Sequence, residues 1–319
     1  MKVRLGYVAI ALRLDKVTSS SPVTYKKYAS LSSKEEQLSL LTRVAQSNLY
    51  DLSKILQYNA QQDIHFYRMT SKLIPLATHP EVLWDYSNGI GKQCQVISHL
   101  IKKYEMRIDA HPDQFNVLNS VNEPVIESSI RTLEHQLHLF DLFDIEHGKM
   151  VLHVGGKAGG KEAALLRFKE TFFKLPTRLR QALILENDDK TYSVKDVLGL
   201  CQDLSIPMVL DIHHHRCYRE GEELGEMISD IFKTWQNDYW PPKVHISSGK
   251  EFETDRRHSD FIDVQDLIRF IELIQPLNQD VDIMIEAKQK DLALYRLVHD
   301  LKEARPHWKW IDQTTFEPR

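Results

Sequence analysis

Eight short apolar runs alternate along this chain with longer stretches whose apolar residues recur at helical spacing. The runs are Val3 to Ile10, His65 to Thr70, Arg107 to His111, Met150 to Val154, Leu183 to Glu186, Met208 to Ile212, Lys243 to Ser247 and Asp282 to Ala287. Between the first two, Leu38, Leu41, Ala45, Leu49, Leu52 and Leu56 mark one face of a long helix. Ser193-x-x-Asp196 reads as a capping box that opens another helix, and Leu267, Ile271 and Ile274 pattern a later one. Strands that alternate with helices in this way pair in parallel through right-handed crossovers, and eight such units close most economically into a (β/α)8 TIM barrel. A doubly wound open sheet would place a glycine-rich phosphate turn after its first strand, and Leu12 to Val17 contains no glycine.

The rest of the chain is consistent with one such unit. No Pro-, Gly- or Ser-rich linker divides it, so residues 1–319 are expected to form a single barrel domain, with Thr18 to Ser33 as a long loop after the first strand. Cys94, Cys201 and Cys217 are far apart and form no C-x-x-C pair, which suggests neither a disulfide framework nor a thiolate metal site. Met1-Lys2-Val3-Arg4 and the apolar run behind it are too short for an export signal, since Arg13 follows at once. No run of about 18 apolar residues is present to span a bilayer. The expected location is therefore the cytoplasm. The net charge of −4 argues on its face against a polyanionic partner, but bound divalent ions would reverse the local sign.

The strand ends carry the chemistry. His111, His153, Glu186, Asp211, His214, His245 and Glu286 each close or follow one of the apolar runs. Parallel strands gather their C-termini at one face, so these scattered residues would converge in space. A lone His among the fifteen is an ordinary surface or core residue; position is what distinguishes these. Burying carboxylates at strand ends without a cation costs roughly several kcal/mol each. A mixed His/Asp/Glu set without thiolates suits Mn²⁺, Zn²⁺, Fe²⁺ or Co²⁺ rather than Ca²⁺. His213 and His215 read as neighbours of the ligand His214 rather than as ligands. Lys243 shares a strand face with His245. On its own it reads as a lysine at the strand's exposed bottom end. If it points inward beside cations, it is driven neutral or becomes a carbamate.

Taken together, Tyr67-Arg68-Met69-Thr70-Ser71 with His79-Pro80, His111-Pro112-Asp113-Gln114-Phe115, His153-Val154-Gly155-Gly156, Leu185-Glu186-Asn187-Asp188-Asp189, Asp211-Ile212-His213-His214, Lys243-Val244-His245-Ile246-Ser247-Ser248 and Met284-Ile285-Glu286-Ala287-Lys288 resemble, in order, the blocks of the UV damage endonuclease family. The resemblance runs from about residue 3 to residue 296. It implies a barrel similar to that of endonuclease IV, acting on double-stranded DNA that carries UV lesions and cutting the backbone immediately 5′ of cyclobutane pyrimidine dimers, 6-4 photoproducts and abasic sites. It also implies two or three divalent ions, commonly manganese, held by residues that fall on His79, His111, His153, Glu186, Asp211, His214, His245, His258 and Glu286. His79 and His258 enter only through the family, since both lie in polar loops. The family's carbamylated lysine falls on Lys243, and Lys243, Glu186 and Glu286 take the catalytic roles.

Damage recognition by the family falls on Tyr7, Gln114 and Phe115: an aromatic in the first strand that lines the pocket, and a Gln and aromatic pair that probes the helix. Relatives often have Tyr at the Phe115 position and an Asn where this chain has Ile10-Ala11. The resemblance implies a monomer that meets the nucleoid through DNA. A metal-dependent sugar isomerase of the same barrel class is the alternative; it explains the fold and two ions, but not the number of convergent His or the ordered blocks.

Overall fold

The computed structural model describes residues 1–318. Eight parallel strands form its centre: β1 (Val3–Val8), β2 (Phe66–Met69), β3 (Arg107–Ala110), β4 (Met150–His153), β5 (Leu183–Glu186), β6 (Met208–Asp211), β7 (Lys243–Ile246) and β8 (Val281–Ile285). They pair in sequence order, and β1 lies between β8 and β2, with Tyr7 opposite both Ile285 and Tyr67. The sheet is thus closed, and the expected (β/α)8 TIM barrel is present. The helices are α1 (Tyr25–Ala29), α2 (Lys34–Gln61), α3 (Ser87–Lys103), α4 (Glu123–Leu142), α5 (Lys161–Lys174), α6 (Thr177–Ala182), α7 (Val194–Leu204), α8 (Ile212–Cys217), α9 (Leu224–Lys233), α10 (Val264–Ile274) and α11 (Lys290–Ala304).

Strand alternation sorts the side chains into two populations. Val151, Ile184 and Val209 meet inside the barrel with Trp235, and Val8, Phe66 and Met284 meet on its other side. Their neighbours Leu152, Leu185 and Leu210 face the helices, where Leu41, Ala45, Leu49, Leu52 and Leu56 of α2 are buried as their spacing predicts. Both halves of the expected capping box at Ser193 and Asp196 form. Gly6 is required by close approach, because a Cβ there would lie 2.3 Å from the Phe66 carbonyl oxygen.

Several boundaries differ from the sequence reading. β1 ends at Val8 because Ala9 turns into the left-handed region at φ 66°. Ile212 belongs to α8, whose first turn is capped by the Asp211 carboxylate. The loop expected over Thr18 to Ser33 contains α1, capped by Thr24. Two short strands extend the sheet beside the start of β1: β10 (Thr315–Glu317) pairs antiparallel with β1, and β9 (Lys309–Trp310) pairs antiparallel with β10.

The bottom of the barrel is closed by buried charge. Arg107 has no exposed surface; it donates to Asp109 at 3.1 Å and Asp282 at 2.7 Å, and its guanidinium lies 5.0 Å from the Phe66 ring and 5.2 Å from that of Trp235. Arg4 grips Asp282 through two bonds of 2.6 Å. Lys243 belongs to this layer and is fully sealed, which corrects its reading as a lysine at an exposed strand end: β7 starts inside the protein, with the Lys243 ammonium over the Phe66 ring and beside Asp109.

Candidate metal centre

At the opposite, C-terminal end of the strands, the side chains expected to bind metal come together. Three overlapping groups, His111 with His153 and Glu186, Glu186 with Asp211 and His214, and Asp211 with His245 and Glu286, each offer ligand atoms within 4.8 Å of one another. Glu186 is the hub: one oxygen lies 3.0 Å from His111 Nε2 and 3.6 Å from His153 Nε2, and the other 2.8 Å from His245 Nδ1 and 3.7 Å from His214 Nδ1. Glu286 approaches His245 Nδ1 from the other side at 3.3 Å.

The backbone sets several of the ring orientations. His111, His214 and His258 each donate Nδ1–H to a main-chain carbonyl, of Pro112 at 2.8 Å, Asn187 at 2.9 Å and Glu286 at 2.9 Å. A carbonyl can only accept, so these bonds fix the tautomer and leave Nε2 as the ligand atom. Asn187 is itself held by Asp211, whose N–H it accepts at 2.9 Å and whose carbonyl it donates to at 3.0 Å. His258 stands at the rim, its ring 6.5 Å from that of His214, on a loop tied back by a bridge between Gly249 and His258.

The residues fit a divalent ion on their own terms. Asp211 Oδ2, 3.7 Å from His214 Nδ1, is buried without a hydrogen-bond partner, a costly arrangement that a cation relieves. The electrostatics agree. Burial raises the Glu186 pKa, but His245 and His153 outweigh it and hold the carboxylate well below its usual range. Asp211 is raised by burial and by its acidic neighbours Glu186 and Glu286. Burial pushes His153 down to about 4, while at His214 the carboxylates of Asp211 and Glu186 overcome burial and raise it to about 9. Lys243, pushed down to about 8 by burial despite Asp109 at 3.2 Å, lies directly under His245 with its Nζ lacking a well-formed hydrogen bond.

The family profile of UV-endonuclease UvdE matches residues 3–312. A UV DNA damage endonuclease of Bacillus cereus is 38% identical over 306 residues, covering 96% of each chain. The chain belongs to the UV-endonuclease UvdE family. The crystal structure of SacUVDE superposes with a TM-score of 0.84 at 34% identity, covering 95% of this chain and 99% of that one. Endonuclease IV from Thermus thermophilus superposes with a TM-score of 0.57 at 18% identity over 79% of this chain and 94% of that one, a likeness of fold.

Not every residue that the family motif points to is brought to this cluster. His79 stacks on Tyr25, with ring centroids 4.4 Å apart, and lines a neighbouring groove with Phe115 rather than joining one of the three groups. Gln114 and Phe115 lie on the loop after β3, and Phe115 is 76% exposed, so it covers no core. Tyr7 is a correction. It has no exposed surface, points to the helix layer and donates its hydroxyl to Asn59 at 2.8 Å; the inward residues of β1 are its neighbours Gly6 and Val8. A first-strand aromatic therefore does not line the pocket here.

Two participants had no assigned role in the sequence reading. Arg68 forms an ion pair with Glu286, and Asp109 anchors Lys243. Both sit on inward faces of their strands, two residues from Phe66 and Arg107, and period-two alternation was the signal available for them.

Proposed function

We propose that this protein is a UV DNA damage endonuclease that hydrolyses the phosphodiester bond 5′ of UV photolesions in double-stranded DNA. The observation that carries the reading is the convergence of three ligand groups on Glu186 and Asp211, with Asp211 Oδ2 left without a hydrogen-bond partner, at the strand-end mouth of a barrel of this family. Two or three divalent ions, manganese foremost, suit a donor set of imidazoles and carboxylates. Bound there, they supply an activated water and neutralise charge on the attacked and leaving oxygens.

The protein's own groups do the rest. Glu186 and Asp211, each shared by two ligand groups, would hold neighbouring ions, and Glu286 would hold one on the side nearest Arg68. His111, His153, His214, His245 and His258 would hold the ions, and the family resemblance adds His79 from the neighbouring groove. Lys243, neutral or carbamylated, orients the attacking water from below. Gln114 and Phe115 probe the duplex, where a dimer is already poorly stacked and cheap to displace. One chain supplies every proposed ligand, so the protein acts as a monomer, in the cytoplasm at the nucleoid.

The test is a nicking assay on supercoiled plasmid, irradiated or untreated, with Mn²⁺. Nicks confined to irradiated DNA are expected from the native protein and none from Glu186→Gln, which should keep its fold and lose turnover by at least about 10³-fold. Wild-type turnover in that variant, or no lesion dependence, overturns the proposal. Cleavage of abasic DNA alone would indicate an activity like that of endonuclease IV.

A further inference from the structure

We infer that the loops following β1 and β8 form one rigid shoulder that grips the substrate's phosphodiester backbone, with Arg13, Lys16, Lys288 and Lys290 as its phosphate contacts; this rests on the DNA-cleaving reading above. A chain of net charge −4 has no bulk attraction for a polyanion, so binding must come from local cations that are not already neutralised. Many cations on the outer wall are committed: Lys161 to Asp196 at 2.7 Å and Glu220 at 2.9 Å, Lys233 to Asp230 at 2.8 Å, Arg305 to Glu272 at 2.7 Å. Arg13, Lys16, Lys288 and Lys290 form no ion pair among the described residues.

Two further observations tie these four to one element beside the metal centre. β1 and β8 are neighbours in the sheet, so their exits lie side by side at the mouth. Asp291, with no exposed surface, buttons the exits together: its carboxylate accepts the N–H groups of Leu12 at 2.6 Å and Arg13 at 3.2 Å, and the Tyr58 hydroxyl at 2.9 Å. The Arg13 guanidinium lies over the Tyr295 ring, 4.0 Å from its centroid, which holds the side chain in place without neutralising its charge. Lys290 is held in the left-handed region at φ 47°, an uncommon conformation for a lysine. It is half-buried, four residues beyond Glu286 on the chain, where the exit of β8 borders the metal centre. The shoulder is thus ordered before DNA arrives, and little freedom remains to be lost on binding.

The test measures binding of lesion-bearing and undamaged duplexes by fluorescence anisotropy across a salt series, with single-turnover nicking in parallel. The shoulder variants are Lys288→Gln/Lys290→Gln and Arg13→Gln/Lys16→Gln; Lys174→Gln/Lys302→Gln, on the outer wall, is the charge-matched control. Each lost contact should lower the slope of log K against log salt by about 0.9. Affinity for both duplexes should fall by the same factor, because phosphate contacts carry no lesion information. Unchanged slopes in the shoulder variants, or an equal change in the control, overturn the inference. If the native protein nicks irradiated DNA while the slopes stay unchanged, the shoulder fails and the endonuclease stands. If the native protein nicks nothing, the activity fails independently of the salt data.

Discussion

At Arg107 a full positive charge is enclosed between two carboxylates and three aromatic rings. Removing one partner of such a set leaves the others charged and dry, and that penalty exceeds what the ion pairs contribute. Arg107→Met should therefore cost about 3–5 kcal/mol in urea unfolding, although methionine fills much of the same volume. A change under about 1 kcal/mol would mean that Arg4 compensates Asp282 on its own. Phe115 is the opposite case, an aromatic that supports nothing beneath it. Phe115→Ala should leave the melting temperature and bound metal unchanged and reduce the preference for irradiated over untreated DNA, by about 5-fold or more if the ring wedges into the damaged step. Equal preference in the variant would remove Phe115 from recognition.

The loop that carries His258 shows how an element positions a ligand. Gly249 opens it, and a Cβ there would lie 2.1 Å from the Phe252 carbonyl oxygen, so the tight path and the bridge to His258 depend on glycine. Gly249→Ala should lower the number of ions retained after gel filtration while the barrel melts within a few degrees of native; unchanged metal content would detach His258 from the centre. The same element scale explains what the sequence made legible. Buried parallel strands are apolar on both faces, so the runs stand out and their end residues are easily marked as convergent. For the same reason, the face on which Tyr7 lies is ambiguous, because Tyr7 and Val8 are equally suited to either side. Lys243 misleads because a buried lysine needs partners that no local pattern reveals, here Asp109 on a strand far away in the chain. His79 and His258 sit in loops, whose paths depend on contacts such as the Tyr25 stack rather than on periodicity. β9 and β10 are too short to leave a pattern.

Across the whole molecule, the barrel interior divides into a lower polar layer whose carboxylates are paired with cations and an upper one where carboxylates and imidazoles converge on shared positions. Below, Arg4 and Arg107 meet Asp109 and Asp282. Above, three ligand groups share Glu186 and Asp211, and Asp211 Oδ2 has no hydrogen-bond partner. Ions that bind only the folded chain must therefore stabilise it, by about 2.7 kcal/mol at a hundredfold excess over Kd. Mn²⁺ should raise the melting temperature by several degrees, a chelator should reverse the rise, and Glu186→Gln should blunt it; a midpoint indifferent to both would leave the upper layer without its proposed role.

Acid should act on a different part of the fold. His135 on α4 is half-buried against Tyr86, whose hydroxyl lies 2.6 Å from its Nδ1, and desolvation pushes its pKa down to about 4. The unfolded chain would protonate the same ring near 6.5, so on acidification the unfolded state takes up the proton first. The stability that His135 contributes is thus complete above about pH 6.5 and is lost as the pH falls towards 4. Urea midpoints of the chelated protein should decline across that window, and His135→Gln should flatten this part of the decline even if its midpoint at pH 7 is lower. An unchanged pH dependence in the variant would mean that other groups, His153 foremost, govern the acid limb.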